Sequence, residues 1–96
     1  MLTIRKTDAF AHWLDSMADA RAKARVLVRI DRLADGNPGD TRPVGDGVME
    51  LRIDYGPGYR VYYIRQGRDI VVLLAGGDKS SQPRDIAAAK RLAESL

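Results

Sequence analysis

The stretch Glu50-Leu51-Arg52-Ile53-Asp54-Tyr55-Gly56-Pro57-Gly58-Tyr59-Arg60-Val61-Tyr62-Tyr63 decides how this chain folds. Apolar and polar residues alternate on either side of Gly56-Pro57-Gly58, the pattern of two antiparallel strands joined by a tight turn. The alternation sorts Met49, Leu51, Ile53, Tyr59, Val61 and Tyr63 onto one face and Glu50, Arg52, Arg60 and Tyr62 onto the other. In this register Arg52 lies beside Arg60. Like charges opposed across a sheet destabilise it, so the presence of both points to an anion or carboxylate that they share, with phosphate the obvious candidate. A guanidinium suits phosphate because it stays charged and holds two oxygens with fixed donors. The alternative is an ordinary solvated face on which Glu50 and Asp54 neutralise both arginines.

Downstream, Ile70-Val71-Val72-Leu73-Leu74 is apolar without alternation, as expected of a strand covered on both faces. It leads into Gly76-Gly77-Asp78-Lys79-Ser80-Ser81, which reads as a loop whose glycines and helix-start amides suit an anion, with Lys79 adding a charge. A plain turn capped by Ser80 or Ser81 is the other reading. If this strand lies antiparallel to the hairpin, Lys79 arrives at one end of the Arg52 and Arg60 pair. A last helix begins near Pro83, which the first turn tolerates, and packs through Ile86, Ala89, Ala93 and Leu96.

Upstream, Leu2 to Arg5 is a short strand, and Thr7 or Asp8 caps a helix with Phe10, Trp13, Leu14 and Met17 at helical spacing. A second helix runs from about Asp19 to Ala34, with Val26, Leu27, Ile30 and Leu33 as its buried stripe. Its outer face carries Arg21, Arg25, Arg29 and Arg32 within roughly 80° of arc at the helical repeat. Such a row suits an RNA backbone, or is simply a solvated face. Gly36 to Gly47 is crowded with glycine and proline and reads as a loop; its Arg42 completes the set of candidate RNA contacts. The order β-α-α-β-β-β-α predicts an α+β fold in which a small, mostly antiparallel four-stranded sheet packs against two N-terminal helices, with a C-terminal helix, the helices covering one face.

Ninety-six residues, 45% apolar and 30% charged, predict one soluble globular domain spanning 1–96. No apolar run has membrane-spanning length, and Met1 to Asp8 lacks the features of a signal peptide, so no membrane partner and a cytoplasmic location are expected. The absence of cysteine excludes disulfides and thiolate metal sites, and the lone His12, read as a surface residue, leaves no imidazole set for a metal. No metal or other cofactor is expected. A net charge of +3 permits nucleic-acid binding without demanding it. Tyr55, Tyr59 and Tyr63 read as core or turn residues, whereas Tyr62, on the arginine face, could stack a base or donate a proton.

The run from Gly47 through the hairpin to Tyr63, followed by Gly76-Gly77-Asp78-Lys79-Ser80-Ser81-Gln82, resembles the RelE/ParE toxin superfamily, and within it the HigB-like branch of addiction-module killer proteins. The likeness extends to Trp13-Leu14 and Leu33-Ala34-Asp35-Gly36-Asn37. It implies a RelE-like fold and a toxin of a type II toxin–antitoxin module. Its partner would be a cognate antitoxin, in this branch usually a helix-turn-helix DNA-binding protein, so that DNA is met only indirectly. The resemblance further implies a ribosome-dependent messenger-RNA endonuclease, which works without metal through attack of a ribose 2′-hydroxyl on the adjacent phosphate. By resemblance Arg60 holds the scissile phosphate, Arg52 is its basic partner on the preceding strand, and Lys79 stands where many relatives carry a basic residue. For proton transfer, Lys79 with a lowered pKa or Glu50 is the candidate base and Tyr62 the candidate acid. After Lys79 the chain lacks the tyrosine that several of these nucleases carry. The ParE-like branch shares the fold yet poisons DNA gyrase, which makes a non-catalytic, protein-binding toxin the alternative.

Overall fold

Arg52 does lie directly across from Arg60, with Met49, Leu51 and Ile53 opposite Tyr63, Val61 and Tyr59. The computed structural model describes residues 1–96. Its elements are β1 (Thr3–Lys6), α1 (Asp8–Asp15), α2 (Ala20–Ala34), β2 (Thr41–Gly45), β3 (Val48–Ile53), β4 (Tyr59–Gln66), β5 (Ile70–Asp78), one 3-10 turn (Lys79–Ser81) and α3 (Gln82–Glu94). The strands form one five-stranded sheet in the order β1-β5-β4-β3-β2. β1 runs parallel to β5 and every other pairing is antiparallel, so the sheet is mixed.

The sheet therefore has five strands rather than four. The extra strand, β2, lies inside the glycine- and proline-rich stretch expected to be a loop. β2 sits at the sheet edge and pairs only with β3, and the register shifts between Pro43 and Gly45. At an edge the missing amide hydrogen of a proline costs no ladder bond.

The second correction concerns the helices, which cover both faces instead of one. Phe10, Leu14, Val26, Ile30 and Leu33 from α1 and α2 pack on Leu51, Ile53, Val61, Tyr63, Val71 and Leu73. On the other face, α3 contributes Ala89 to a cluster with Val48, Tyr62, Val72, Leu74 and Ala75. The unalternated β5 run thus sends Val71 and Leu73 one way and Val72 and Leu74 the other. Full burial of each such side chain is worth about 1.5–3 kcal/mol, which is why α3 settles on the face that also carries Glu50 and Tyr62.

Local chemistry sets the helix ends. The Thr7 hydroxyl caps α1 by accepting from the Phe10 amide at 3.1 Å and donates to the Leu74 carbonyl at 2.7 Å, tying the cap to β5. Asp19 caps α2 by accepting from the Arg21 and Ala22 amides. Two expected core positions are exposed. Leu27 turns outward and Ala22 fills the buried stripe in its place, while Leu96 lies beyond the end of α3.

Arg29, expected in the outer row, has its guanidinium engaged by backbone carbonyls. Its Nη1 donates to the Arg52 carbonyl at 2.6 Å and its Nη2 to the carbonyls of Pro38 at 3.0 Å and Asp40 at 3.3 Å. It is a strut between α2 and the approach to β2. Hydrogen bonds from a charged donor contribute about 1.5–3 kcal/mol, so Arg29→Ala should lose roughly that much stability. The exposed Arg21→Ala should stay within about 0.5 kcal/mol of wild type. Urea midpoints measured at equal m-value check the contrast.

Candidate functional site

Antiparallel pairing of β4 with β5 sets Arg60 opposite Gly77 and Tyr59 opposite Asp78, so Lys79, the next residue, emerges beside the hairpin end. There a cleft of about 460 Å³ is lined by Asp40, Arg52, Ile53, Asp54, Gly56, Pro57, Gly58, Arg60 and Lys79. Arg52, Arg60 and Lys79 thus come together from β3, β4 and the turn before α3. Two carboxylates share the space, so the charge is mixed. Asp40 was not legible as a site residue, because it enters only through the unexpected β2. Its carbonyl accepts from the Arg52 amide at 2.9 Å, and its carboxylate lies 3.3 Å from Arg52 Nε.

The two arginines are held differently. Arg52 keeps 39% of its side chain exposed, and its ion pair with Asp40 is open to solvent. Arg60 keeps only 12%; its Nε lies 3.5 Å from Glu50 and its Nη1 donates to the Gly58 carbonyl at 2.7 Å. Gly58 has a φ of +80°, and a Cβ there would come within 3.1 Å of Arg60 Nη1 and 3.6 Å of Lys79 Cβ. Glycine at this position meets the turn geometry and leaves room for both cations.

Glu50 and Tyr62 do not lie on an exposed face. Both are completely buried beneath α3. Glu50 accepts from Arg42 Nε at 3.0 Å, from the Tyr62 hydroxyl at 3.1 Å and from Gln82 Nε2 at 2.8 Å. Burial opposes its charge, yet the bonds from Gln82, Tyr62 and Arg42 and the charge of Arg42 more than offset it, so its pKa falls below the ordinary 4.5. A buried carboxylate with its oxygens already engaged is a poor general base. Tyr62 can neither stack a base nor donate to one, and burial, followed by the charge of Glu50, raises its pKa far above the ordinary range. Because the folded pKa of Glu50 lies below its unfolded value, its stabilisation is complete above pH 4.5 and is lost as pH falls through the folded value. Urea unfolding at pH 7 and at acid pH should show that loss, with a smaller difference in Glu50→Gln.

The glycines before Lys79 belong to β5 rather than to an anion-binding loop. A Cβ on Gly76 would meet ring atoms of Trp13 at 2.2–2.5 Å, and one on Gly77 would meet Asp85 Oδ2 at 1.8 Å. Close packing explains both. Ser81 stands at the N-cap of α3, without a side-chain capping bond, and the amides after the glycines are engaged by Asp78, which caps the 3-10 turn by accepting from the Ser80 amide at 2.8 Å. Its pKa is lowered by hydrogen bonds from the Ser80 hydroxyl and amide.

Of the α2 row, Arg25 stacks over Tyr55 at 4.5 Å. With Val28, Arg29 and Arg32 it lines a second cleft that shares Ile53 and Asp54 with the first. Arg21 is exposed on the same helix, whereas Arg42 stands on the edge strand with its Nε on Glu50. His12 is exposed. No group of three or more His, Asp or Glu side chains is placed to hold a metal ion, and no helix is long and apolar enough to cross a membrane.

Fold and cleft together define a small α+β protein that gathers cations at one end of a mixed sheet. The chain belongs to the family described as Phage derived protein Gp49-like (DUF891), whose pattern it matches over residues 12–95. This is a toxin-like family related to the RelE/ParE-type toxins, and such proteins have, in general, an antitoxin partner. The chain is also 50% identical over 95 residues to an uncharacterized protein of Haemophilus influenzae, covering 99% of this chain and 96% of that protein.

Proposed function

We propose that this protein is the toxin of a type II toxin–antitoxin module, a HigB-like, ribosome-dependent messenger-RNA endonuclease acting in the cytoplasm. The observation that carries the reading is the convergence of Arg52, Arg60 and Lys79 on one cleft. In the reaction a ribose 2′-oxygen bonds to the adjacent phosphorus as the bond to the 5′-oxygen breaks, leaving a cyclic phosphate and a free 5′-hydroxyl. Charge that develops on the phosphoryl oxygens is met by Arg60 and Arg52, held in place before reaction. Arginine does not exchange protons at physiological pH. The reading therefore gives Lys79 the protonation of the departing 5′-oxygen, and the 2′-hydroxyl proton passes to water. Arg25, Arg32 and Arg21 along α2 supply the sequence-independent contacts to RNA backbone. The cognate antitoxin, a helix-turn-helix protein, neutralises the toxin by covering the cationic cleft and carries it to DNA.

One observation favours a second reading. Glu50 and Tyr62, two of the groups expected to move protons, are buried away from the cleft, as a non-catalytic ParE-like toxin that binds gyrase would tolerate. A translating extract supplied with the protein separates the two. Cuts in ribosome-bound messages support the nuclease, whereas intact messages together with double-strand breaks in gyrase-treated DNA reject it.

A further inference from the structure

We infer that Glu50 is a positioning residue, whose buried carboxylate fixes the Arg60 guanidinium so that its Nη2 edge is left to an anion in the cleft. The inference deepens the reading of the cleft as a phosphate site and rests on it.

Complete burial of a carboxylate is costly unless its partners are well placed. The partners of Glu50 come from three other elements. Oε1 takes Arg42 Nε from β2 at 3.0 Å, while Oε2 takes Tyr62 from β4 at 3.1 Å and Gln82 from the first residue of α3 at 2.8 Å. Oε2 also faces Arg60 Nε at 3.5 Å. Pairs of arginine with a carboxylate are frequently bidentate. Here the grip is lateral. Nε faces Glu50, Nη1 donates to the Gly58 carbonyl, and Nη2 donates no hydrogen bond within the chain. The ion pair with Glu50 and the bond to Gly58 together orient the planar group, and Arg60 is among the residues that line the cleft.

Gln82 extends the argument to the third cation. It lies three residues after Lys79 and opens α3, so the same carboxylate that orients Arg60 also ties down the helix that follows Lys79. Arg60 Nε is buried and lacks an aligned hydrogen bond. Glu50 is the one carboxylate within ion-pair distance of it, so removal of that charge takes away the nearest counterpart of a buried cationic donor. Arg52 offers the contrast, since its Asp40 partner is itself more than half exposed.

The test follows the Arg60 Nε–H signal by NMR in wild type and in Glu50→Gln, with inorganic phosphate as the probe. In wild type the Arg60 signal should exchange slowly with water and move as phosphate is added. In Glu50→Gln, at a temperature where its backbone spectrum shows it folded, the Arg60 signal should lose its protection and phosphate should bind roughly tenfold more weakly. The Arg52 signal should not change its exchange. Should Glu50→Gln fail to fold, Gln82→Leu removes a single bond and should shift both readouts in the same direction by a smaller factor. A purely structural carboxylate would lower the melting temperature while leaving Arg60 protection and phosphate affinity as they are, and that result overturns the inference. If phosphate leaves the wild-type signal unmoved while Glu50→Gln still releases Arg60, the phosphate reading falls and the positioning link stands.

Discussion

Induced expression of the Arg60→Ala variant should leave growth unchecked, with messenger-RNA cleavage lower by about two to three orders of magnitude. Arg60 is the cation held most firmly at the cleft, with 12% of its side chain exposed and two of its three nitrogens facing fixed oxygens. An alanine there removes the group that meets charge as it forms on phosphorus. Arg60→Lys should not restore activity, because an ammonium keeps the charge but cannot reproduce the lateral contact with Glu50 and the fork toward the cleft at once. The fold should survive. Glu50 retains Arg42, Tyr62 and Gln82, so the stability loss should be about 1–3 kcal/mol, that of one hydrogen-bonded charged group. Growth curves after induction, read beside a thermal melt of the purified variant, separate loss of activity from loss of folding. Undiminished arrest by a folded Arg60→Ala protein would remove Arg60 from the centre of the proposal.

Gly76→Ala should be among the most destabilising single-methyl changes in the chain. The added Cβ would fall 2.2–2.5 Å from three ring atoms of Trp13, a separation that atoms do not tolerate. Trp13 must leave its seat against β5 and Phe10, whose ring centroid lies 5.7 Å from its own. Overpacking of this kind costs about 3 kcal/mol at the upper end of the usual range. For a domain of this size that corresponds to a fall in Tm of roughly 12–24 °C. Combining the substitution with Trp13→Leu, which clears the space, should recover part of the loss, and a double-mutant cycle should report a favourable coupling. If Gly76→Ala melts like wild type, tight packing is not what requires glycine, and the open-backbone reading of Gly76-Gly77 regains its force.

Much of the cleft was legible before any coordinates, and the reason is geometric. A strand repeats every two residues and a hairpin turn sets its register, so the alternation around Gly56-Pro57-Gly58 already places Arg52 beside Arg60. Antiparallel return of the apolar run then brings Lys79 to the same end. Arg29 and Asp40 were not legible for the opposite reason. Helical spacing assigns Arg29 to an outer face, but a long guanidinium reaches backbone carbonyls whose position depends on how β2 pairs with β3. The composition of that segment, rich in glycine and proline, argues for a loop; pairing at a sheet edge overrides it.

Alternation along the chain was enough to settle which residues share a face, which strands pair in the hairpin and which cations can meet, since these follow from short-range periodicity. It was silent on which face meets water. Glu50 and Tyr62 sit on the polar side of the hairpin, and whether that side is a solvated surface or a second core depends on where α3, a distant segment of the chain, packs. Burial is a property of contacts between distant segments. The same carboxylate that reads locally as an accessible base therefore becomes, under α3, a charged and inaccessible anchor.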